Sequence, residues 1–419
     1  MLKELKPRID PSGQRMIDFI QKIFNEVGPR LAGSEEEKKA GNIIYEELQN
    51  YCDEINQEEF TCRPGGFLDF IWVTALFYIA GVVAYFVIHP LLSSLLIFIG
   101  LGIYFVQQNL LYEVIDFLFP KKTEYHIIGK IKPRKESQKL VLLSGHHDSA
   151  YEFPLLSKLG GKSTILIILA VIFAILSTLL GILKTLVLIS HDQQFSQVDP
   201  FAVIRVLQNF TILYVIDLVQ IIIFPIGTIL VIILALYLRS NNVVFGANDN
   251  LTAVAAILEC GRFLSQNRPD HTEIWLISFA GEEHMRGSKR FVSLHQKELQ
   301  KRQGLLLNLE CLSADLFLVA TAENMFLAKH SPLVVEKVAQ AANKVNMPVN
   351  VGPLRFAGSD AANFSRKGLH ATTLFGLAKT GVPHYWHTLN DTPEKLSGSS
   401  IANAAEIALQ FVYDVDLSD

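Results

Sequence analysis

The stretch KLVLLSGHHDS, residues 139–149, carries the reading of the chain. Its apolar run, 139–144, is short, uninterrupted and without charge after its first residue, which reads as a strand buried on both faces. The run breaks at Gly145 into His146-His147-Asp148-Ser149, a block of side chains able to bind metal or move protons. The same arrangement recurs downstream. TEIWLISF (272–279) runs into Ala280-Gly281-Glu282-Glu283-His284, and GLLLNL (304–309) runs into Glu310. ATTLF (371–375) is a fourth apolar run. Helical patterns at about 252–265, 287–302 and 331–346 separate these runs. Nearer the N-terminus, Met16, Phe19, Ile20, Ile23, Phe24 and Val27 fit one face of an amphipathic helix. Strands alternating with helices predict an α/β fold, a mostly parallel sheet with helices on both faces.

In open sheets of this kind ligands bind outside the carboxyl ends of the strands. The polar blocks of this chain fall at those ends. Two more join them: Asn248-Asp249-Asn250 opens the helix at 252–265, and His387-Thr388-Leu389-Asn390-Asp391-Thr392 lies near the C-terminus. A lone His-x-Asp is more often a surface pair or a helix cap, and a lone Glu-Glu a solvated face. Five blocks at one kind of topological position point to a single site.

The order of these blocks resembles the zinc exopeptidase family that includes the bacterial di-zinc aminopeptidases, glutamate carboxypeptidase II and glutaminyl cyclase. The motifs are His-x-Asp-Ser, Asp-Asn at a helix start, Gly-Glu-Glu, a carboxylate after Asn-x, and His-Thr-x-x-Asp-Thr. The stretch Gly28-Pro29-Arg30-Leu31-Ala32-Gly33-Ser34 is similar to the family's N-terminal region. The resemblance covers roughly 24–62, 123–155 and 241–410, and implies two Zn²⁺ per chain. His146 and Glu310 take ligand positions on one zinc, Glu283 and His387 on the other, and Asp249 the bridge. Glu282 takes the general base's place, and Asp148 that of the aspartate supporting the first histidine. Glu310 stands where the family usually carries aspartate, one methylene shorter. Ala361 falls where many relatives carry histidine, and Trp386 where they often carry tyrosine. His147 and His284 are read as non-ligands. The implied chemistry is coherent. Three ligand carboxylates against two Zn²⁺ leave one positive charge, so the site favours hydroxide as nucleophile, with two metals polarising the scissile carbonyl. Glu282 then carries the proton from water to the leaving amine.

The rest of the chain is unusually apolar: half of its 419 residues are hydrophobic, at a mean hydropathy of +0.29. That excess sits in four stretches without formal charge, 70–88, 90–112, 163–183 and 218–238, each near the roughly 20 residues that cross a bilayer. They read as four transmembrane helices inserted as two hairpins, 67–112 and 163–238, with the polar stretch His191–Gln194 between the last two helices. The fourth can start early, since 201–216 is apolar apart from Arg205. Asp217 reads as a helix-end residue at the interface, the other reading being a group facing a protein interior. The segments 1–66, 113–162 and 239–419 read as one discontinuous zinc-peptidase domain. About a hundred residues separate His146 from Asp249, mostly the second hairpin, which places the site near the membrane surface.

Net charge of −4 gives no nucleic-acid footprint. Cys52, Cys62, Cys260 and Cys311 have no metal-ligand or CxxC spacing and read as free thiols. The first residues lack an apolar signal segment. Arg63, Lys121, Lys122, Lys158, Lys162 and Arg239 flank the spans on the enzyme side, against Lys184 and Arg205 on the other, which predicts a cytoplasmic catalytic domain on a multi-pass membrane protein. The expected function is membrane-anchored peptide hydrolysis, most simply as an aminopeptidase, with a membrane-proximal peptide substrate and the lipid bilayer as partners. Nothing in the sequence sets an oligomeric state. Three rivals remain: a catalytically silent receptor of the same fold, a transporter, and another amide chemistry such as glutaminyl cyclisation. Retention of all five motifs argues against the first, and few intramembrane charges against the second.

Overall fold

The four apolar runs form the centre of one nine-stranded sheet in a computed structural model that describes residues 11–195 and 202–418. The side chains of 191–195 and 202–209 are outside the description, so the polar side chains expected at 191–194 and Arg205 are too, as is Phe201. The strands are β1 (Glu54–Cys62), β2 (Lys122–Ile131), β3 (Lys139–His146), β4 (Thr272–Phe279), β5 (Leu305–Glu310), β6 (Leu316–Glu323), β7 (Ala328–Lys329), β8 (Asn350–Leu354) and β9 (His370–Leu377). Their order is β1-β2-β4-β3-β5-β9-β6-β7, with β8 beside β6. The four strands read from the sequence, β4-β3-β5-β9, are contiguous and mutually parallel. The flanks differ from the expectation. β1–β2, β2–β4, β9–β6 and β6–β7 run antiparallel, so the sheet is mixed. Antiparallel edge strands need only one apolar face, and β1 (EINQEEFTC) is accordingly polar and largely solvated.

Alternation along the central strands divides the core in two. Val141, Leu143, Ile274, Leu276, Leu305, Leu307 and Leu309 pack under the helices Gly13–Glu26, Glu35–Gln49, Thr252–Gln266, Pro332–Lys344 and Gly398–Leu417. Leu140, Leu142, Trp275, Ile277 and Leu306 face the other way, against Phe291 and Val292 of helix Gly287–Lys301 and Phe364. Each fully buried side chain of this size contributes roughly 1.5–3 kcal/mol. Helices therefore cover both faces. The first helix is tied down by charge: Glu259 of helix Thr252–Gln266 accepts from the backbone N–H of Ser12 (2.9 Å), Arg15 Nε (3.1 Å) and Arg262 Nη2 (2.8 Å).

The chain divides into two compact units: Met1–Gly65, Leu118–Lys158 and Ser240–Asp419 form the first, Gly66–Phe117 and Leu159–Arg239 the second. Four helical segments are long and apolar enough to cross a membrane: Gly65–Val87, Pro90–Asn109, Pro154–Ser190 and Phe210–Tyr237. The third is longer than the apolar run suggested, and its helix, Ser163–Phe195, passes through the polar stretch expected between the spans. In the second unit Tyr78, Tyr85, Ile97, Ala174 and Phe224 form a buried cluster. Close helix approach depends on small residues there. A Cβ on Gly81 would stand 2.5 Å from Ile97 Cγ1. Asp217 lies within helix Ala202–Tyr237 and is not a helix-end group. Its Oδ1 accepts from Lys184 Nζ and from Tyr85 Oη, both at 2.6 Å, and so joins three helices.

Candidate metal centre

Register brings the site together. His146 is the last residue of β3, opposite Phe279 at the end of β4, and Glu310 is the last residue of β5, opposite Phe375. Three adjacent parallel strands therefore deliver their polar ends to one edge of the sheet. Asp249 and His387 reach the same edge from the turn before helix Thr252–Gln266 and from the loop after β9.

Three overlapping groups of donors converge there, each with ligand atoms within 4.8 Å of one another: His146, Asp249 and Glu310; Asp249, Glu283 and His387; and His146, Glu282 and Glu283. Asp249 belongs to the first two. Its Oδ1 lies 3.3 Å from His146 Nε2 and its Oδ2 lies 3.0 Å from His387 Nε2. Glu310 Oε2 is 3.5 Å from His146 Nε2, and Glu283 Oε2 is 3.4 Å from His387 Nε2. Glu282 Oε2 stands 3.5 Å from His146 Nε2, on the side of the first group. The cluster is largely buried, Glu282 being 9 % and His387 7 % exposed.

The supporting contacts fix these groups. Asp148 Oδ1 and Oδ2 accept the backbone N–H of Glu282 (3.2 Å) and of Glu283 (3.1 Å), and Oδ1 lies 3.4 Å from His146 Nδ1. One aspartate thus orients the first histidine and holds the loop bearing the two glutamates. Asp391 does the same for the opposite loop, accepting from the backbone of Asn248 (2.7 Å) and Asp249 (3.1 Å). Glu310 Oε1 accepts from Asn308 Nδ2 at 2.9 Å, and its other oxygen from Asn250. Fully buried Arg30 donates to the carbonyls of His147 (2.7 Å), Phe245 (2.9 Å) and Gly246 (3.1 Å), which braces the loops of His146 and Asp249 against each other. Arg30 and the role of Asp391 escaped the reading of the sequence, although both sit in stretches that reading singled out. His147 turns away and bonds Ser278 Oγ at 2.8 Å. His284 lies in a different cluster, with Cys62 and Glu124.

Burial and charge shift the titration of these groups. Burial pushes the Glu310 carboxyl up to about 7 against the pull of His146. Burial also drives Glu282 and Glu283 well above the usual carboxylate range, with neighbouring carboxylates adding to it. Burial would raise Asp148 too, but its bond to His146 and the adjacent imidazoles hold it at about 2. His146 Nε2 and Glu283 Oε1 are buried without a hydrogen-bond partner. Crowded carboxylates, two imidazoles and orphaned donor atoms fit zinc, which takes imidazole nitrogen and carboxylate oxygen together.

Residues 232–412 match the model of Peptidase family M28. The segment contains Asp249, Glu282, Glu283, Glu310 and His387, whereas His146 and Asp148 precede it. Aminopeptidase YwaD of Bacillus subtilis (strain 168) is 29% identical over 181 residues, 40% of this chain, and the match spans 37% of that relative's length. Among solved structures, a zinc aminopeptidase from Bacillus subtilis superposes with a TM-score of 0.55 at 14% identity, covering 97% of this chain and 96% of that one. A Bacteroides thetaiotaomicron glutaminyl cyclase bound to N-acetylhistamine gives 0.56 at 13% identity, covering 98% and 99%. A Zn-dependent exopeptidase from Parabacteroides distasonis gives 0.55 at 14% identity, covering 97% and 99%. At these identities the likeness is one of fold.

Proposed function

We propose that the chain is a zinc-dependent peptidase, an aminopeptidase that removes residues from the N-terminus of peptides, a reading supported by the match of residues 232–412 to the model of Peptidase family M28. The observation that supports two metals is the division of Asp249 between the histidines, one carboxylate oxygen toward each. On this reading His146, Asp249 and Glu310 hold one zinc, and Asp249, Glu283 and His387 the other. Zinc supplies Lewis acidity toward the scissile carbonyl and lowers the pKa of water. Glu282 is the base. It lies beside the donor cluster, its backbone is pinned by Asp148, and it is one of the buried carboxylates whose proton affinity is raised. It takes the proton from water and hands it to the leaving amine. Asp148 keeps His146 oriented through Nδ1, leaving Nε2 for metal.

On this reading the four apolar helices anchor the enzyme in a lipid bilayer with its catalytic domain on the cytoplasmic side, which the Lys and Arg bias at their ends supports. A peptide-library digest read by mass spectrometry tests the activity. Sequential shortening from the N-terminus supports the reading. Shortening from the C-terminus, loss of ammonia from N-terminal glutamine without cleavage, or no change by a metal-loaded preparation would each overturn it.

A further inference from the structure

Outside the Asp249 cluster, one other group of described side chains has the makings of a metal site: Cys62, Glu124 and His284. We propose that these three bind a separate divalent cation of borderline softness, zinc by preference, independently of the proposed peptidase centre. Cys62 ends β1, Glu124 lies in the paired strand β2, and His284 follows directly on the Glu282-Glu283 pair. Cys62 Sγ is 2.8 Å from Glu124 Oε1 and 3.8 Å from His284 Nε2, and His284 Nε2 is 3.1 Å from Glu124 Oε1. All three are buried, at 3 %, 0 % and 3 % exposure.

Charge supports a cation there. Among the described residues Glu124 has an imidazole, His284, within ion-pair distance and no lysine or arginine, and a buried carboxylate without a permanent counter-charge is costly. A second buried carboxylate, Glu37, repels it, and Glu37 Oε1 has no hydrogen-bond partner. The donor set is the mixed thiolate, imidazole and carboxylate set that suits zinc. Zinc–sulfur and zinc–nitrogen bonds of about 2.3 and 2.0–2.1 Å at tetrahedral angles separate such ligands by roughly 3.3–3.6 Å. The imidazole already stands close to those separations. The carboxylate would swing away from the thiol, which on binding releases its proton to solvent. A cation held this way clamps the ends of β1 and β2 to the loop that carries Glu282 and Glu283.

The test is a Co(II) titration of the full chain in detergent after removal of bound metal. A thiolate-to-Co(II) charge-transfer band is expected in the near ultraviolet, of one-thiolate intensity. Cys62→Ser should abolish it and lower bound metal by one equivalent per chain, whereas Cys311→Ser and Asp249→Asn should leave it. The Asp249→Asn arm separates this site from the proposed peptidase centre. No thiolate band in the wild type, or a band that survives Cys62→Ser, overturns the proposal. The wild-type titration decides by itself if the variant does not fold.

Discussion

Asp391 Oδ2 accepts the backbone N–H of Asp249 at 3.1 Å, so the proposed bridging carboxylate is positioned by an aspartate that donates nothing to the metal group itself. Its other oxygen holds Asn248. Asp391→Ala should free this turn and lower zinc affinity by about 10–100-fold, the usual cost of losing a group that orients a ligand. Chelator competition measures it. Among the proposed ligands, Asp249→Ala should cost both zinc ions, and His146→Ala or His387→Ala one each. An Asp249→Ala chain retaining two equivalents by metal analysis would sink the bridging assignment.

Glu282→Gln should retain metal and lose turnover by roughly 10²–10⁴-fold, since Glu282 is assigned as base and not as ligand. Glutamine preserves the shape and the backbone N–H taken by Asp148. Activity within a few fold of wild type would reassign the base.

Glu259 gives a pH prediction away from the metal centre. Burial opposes its ionisation, but Arg262, Arg15 and the Ser12 N–H hold its carboxyl down at about 2, from an ordinary 4.5. A depressed folded-state value means that the carboxylate stabilises the fold above pH 4.5, and that this contribution fades as pH falls from 4.5 to 2. Glu259→Gln should therefore be less stable at neutral pH, by about 1–2 kcal/mol given that Arg15 is half exposed. Thermal midpoints of the two proteins should converge as pH drops through that window. A constant gap would show that the loss is one of packing.

Membrane sidedness can be read with cysteines placed at exposed Gln300, in the unit that carries the nine-stranded sheet, and at exposed His89, between the first two apolar helices. A membrane-impermeant thiol reagent on intact cells should label His89→Cys and spare Gln300→Cys until the cells are opened. The reverse pattern would turn the enzyme outward.

The centre of the fold was legible because each strand there announces itself locally. Runs such as TEIWLISF are apolar on both faces, and the residues with chemistry follow within a few positions of the strand end. β1, β2 and β6–β8 were not legible. They are short or mix exposed with buried residues in no clear period, and the partners of β1 and β2 lie far along the chain, as in the pairing of Cys62 with Lys122. The same distance hid the Cys62–Glu124–His284 cluster, whose members have no spacing to betray them. Arg30 was hidden for a related reason: a lone arginine near Gly and Pro looks like a surface residue until three carbonyls from distant loops close around it. Asp217 looked like an interfacial helix end because its partners, Lys184 and Tyr85, lie on other helices.

The position of Leu159–Arg239 within the chain has a consequence for biosynthesis. His146 leaves the ribosome 103 residues before Asp249, and β3 still longer before both of its neighbours, β4 and β5. At roughly 5–20 residues per second, β3 waits on the order of 7–27 s with both edges unpaired. During that interval the nascent chain must thread two apolar helices that contribute no ligand. Completion of the proposed hydrolytic site therefore cannot precede synthesis of both helices. Ribosome-stalled chains ending near 250 should then remain open to protease across 123–149, while released full-length chains resist it.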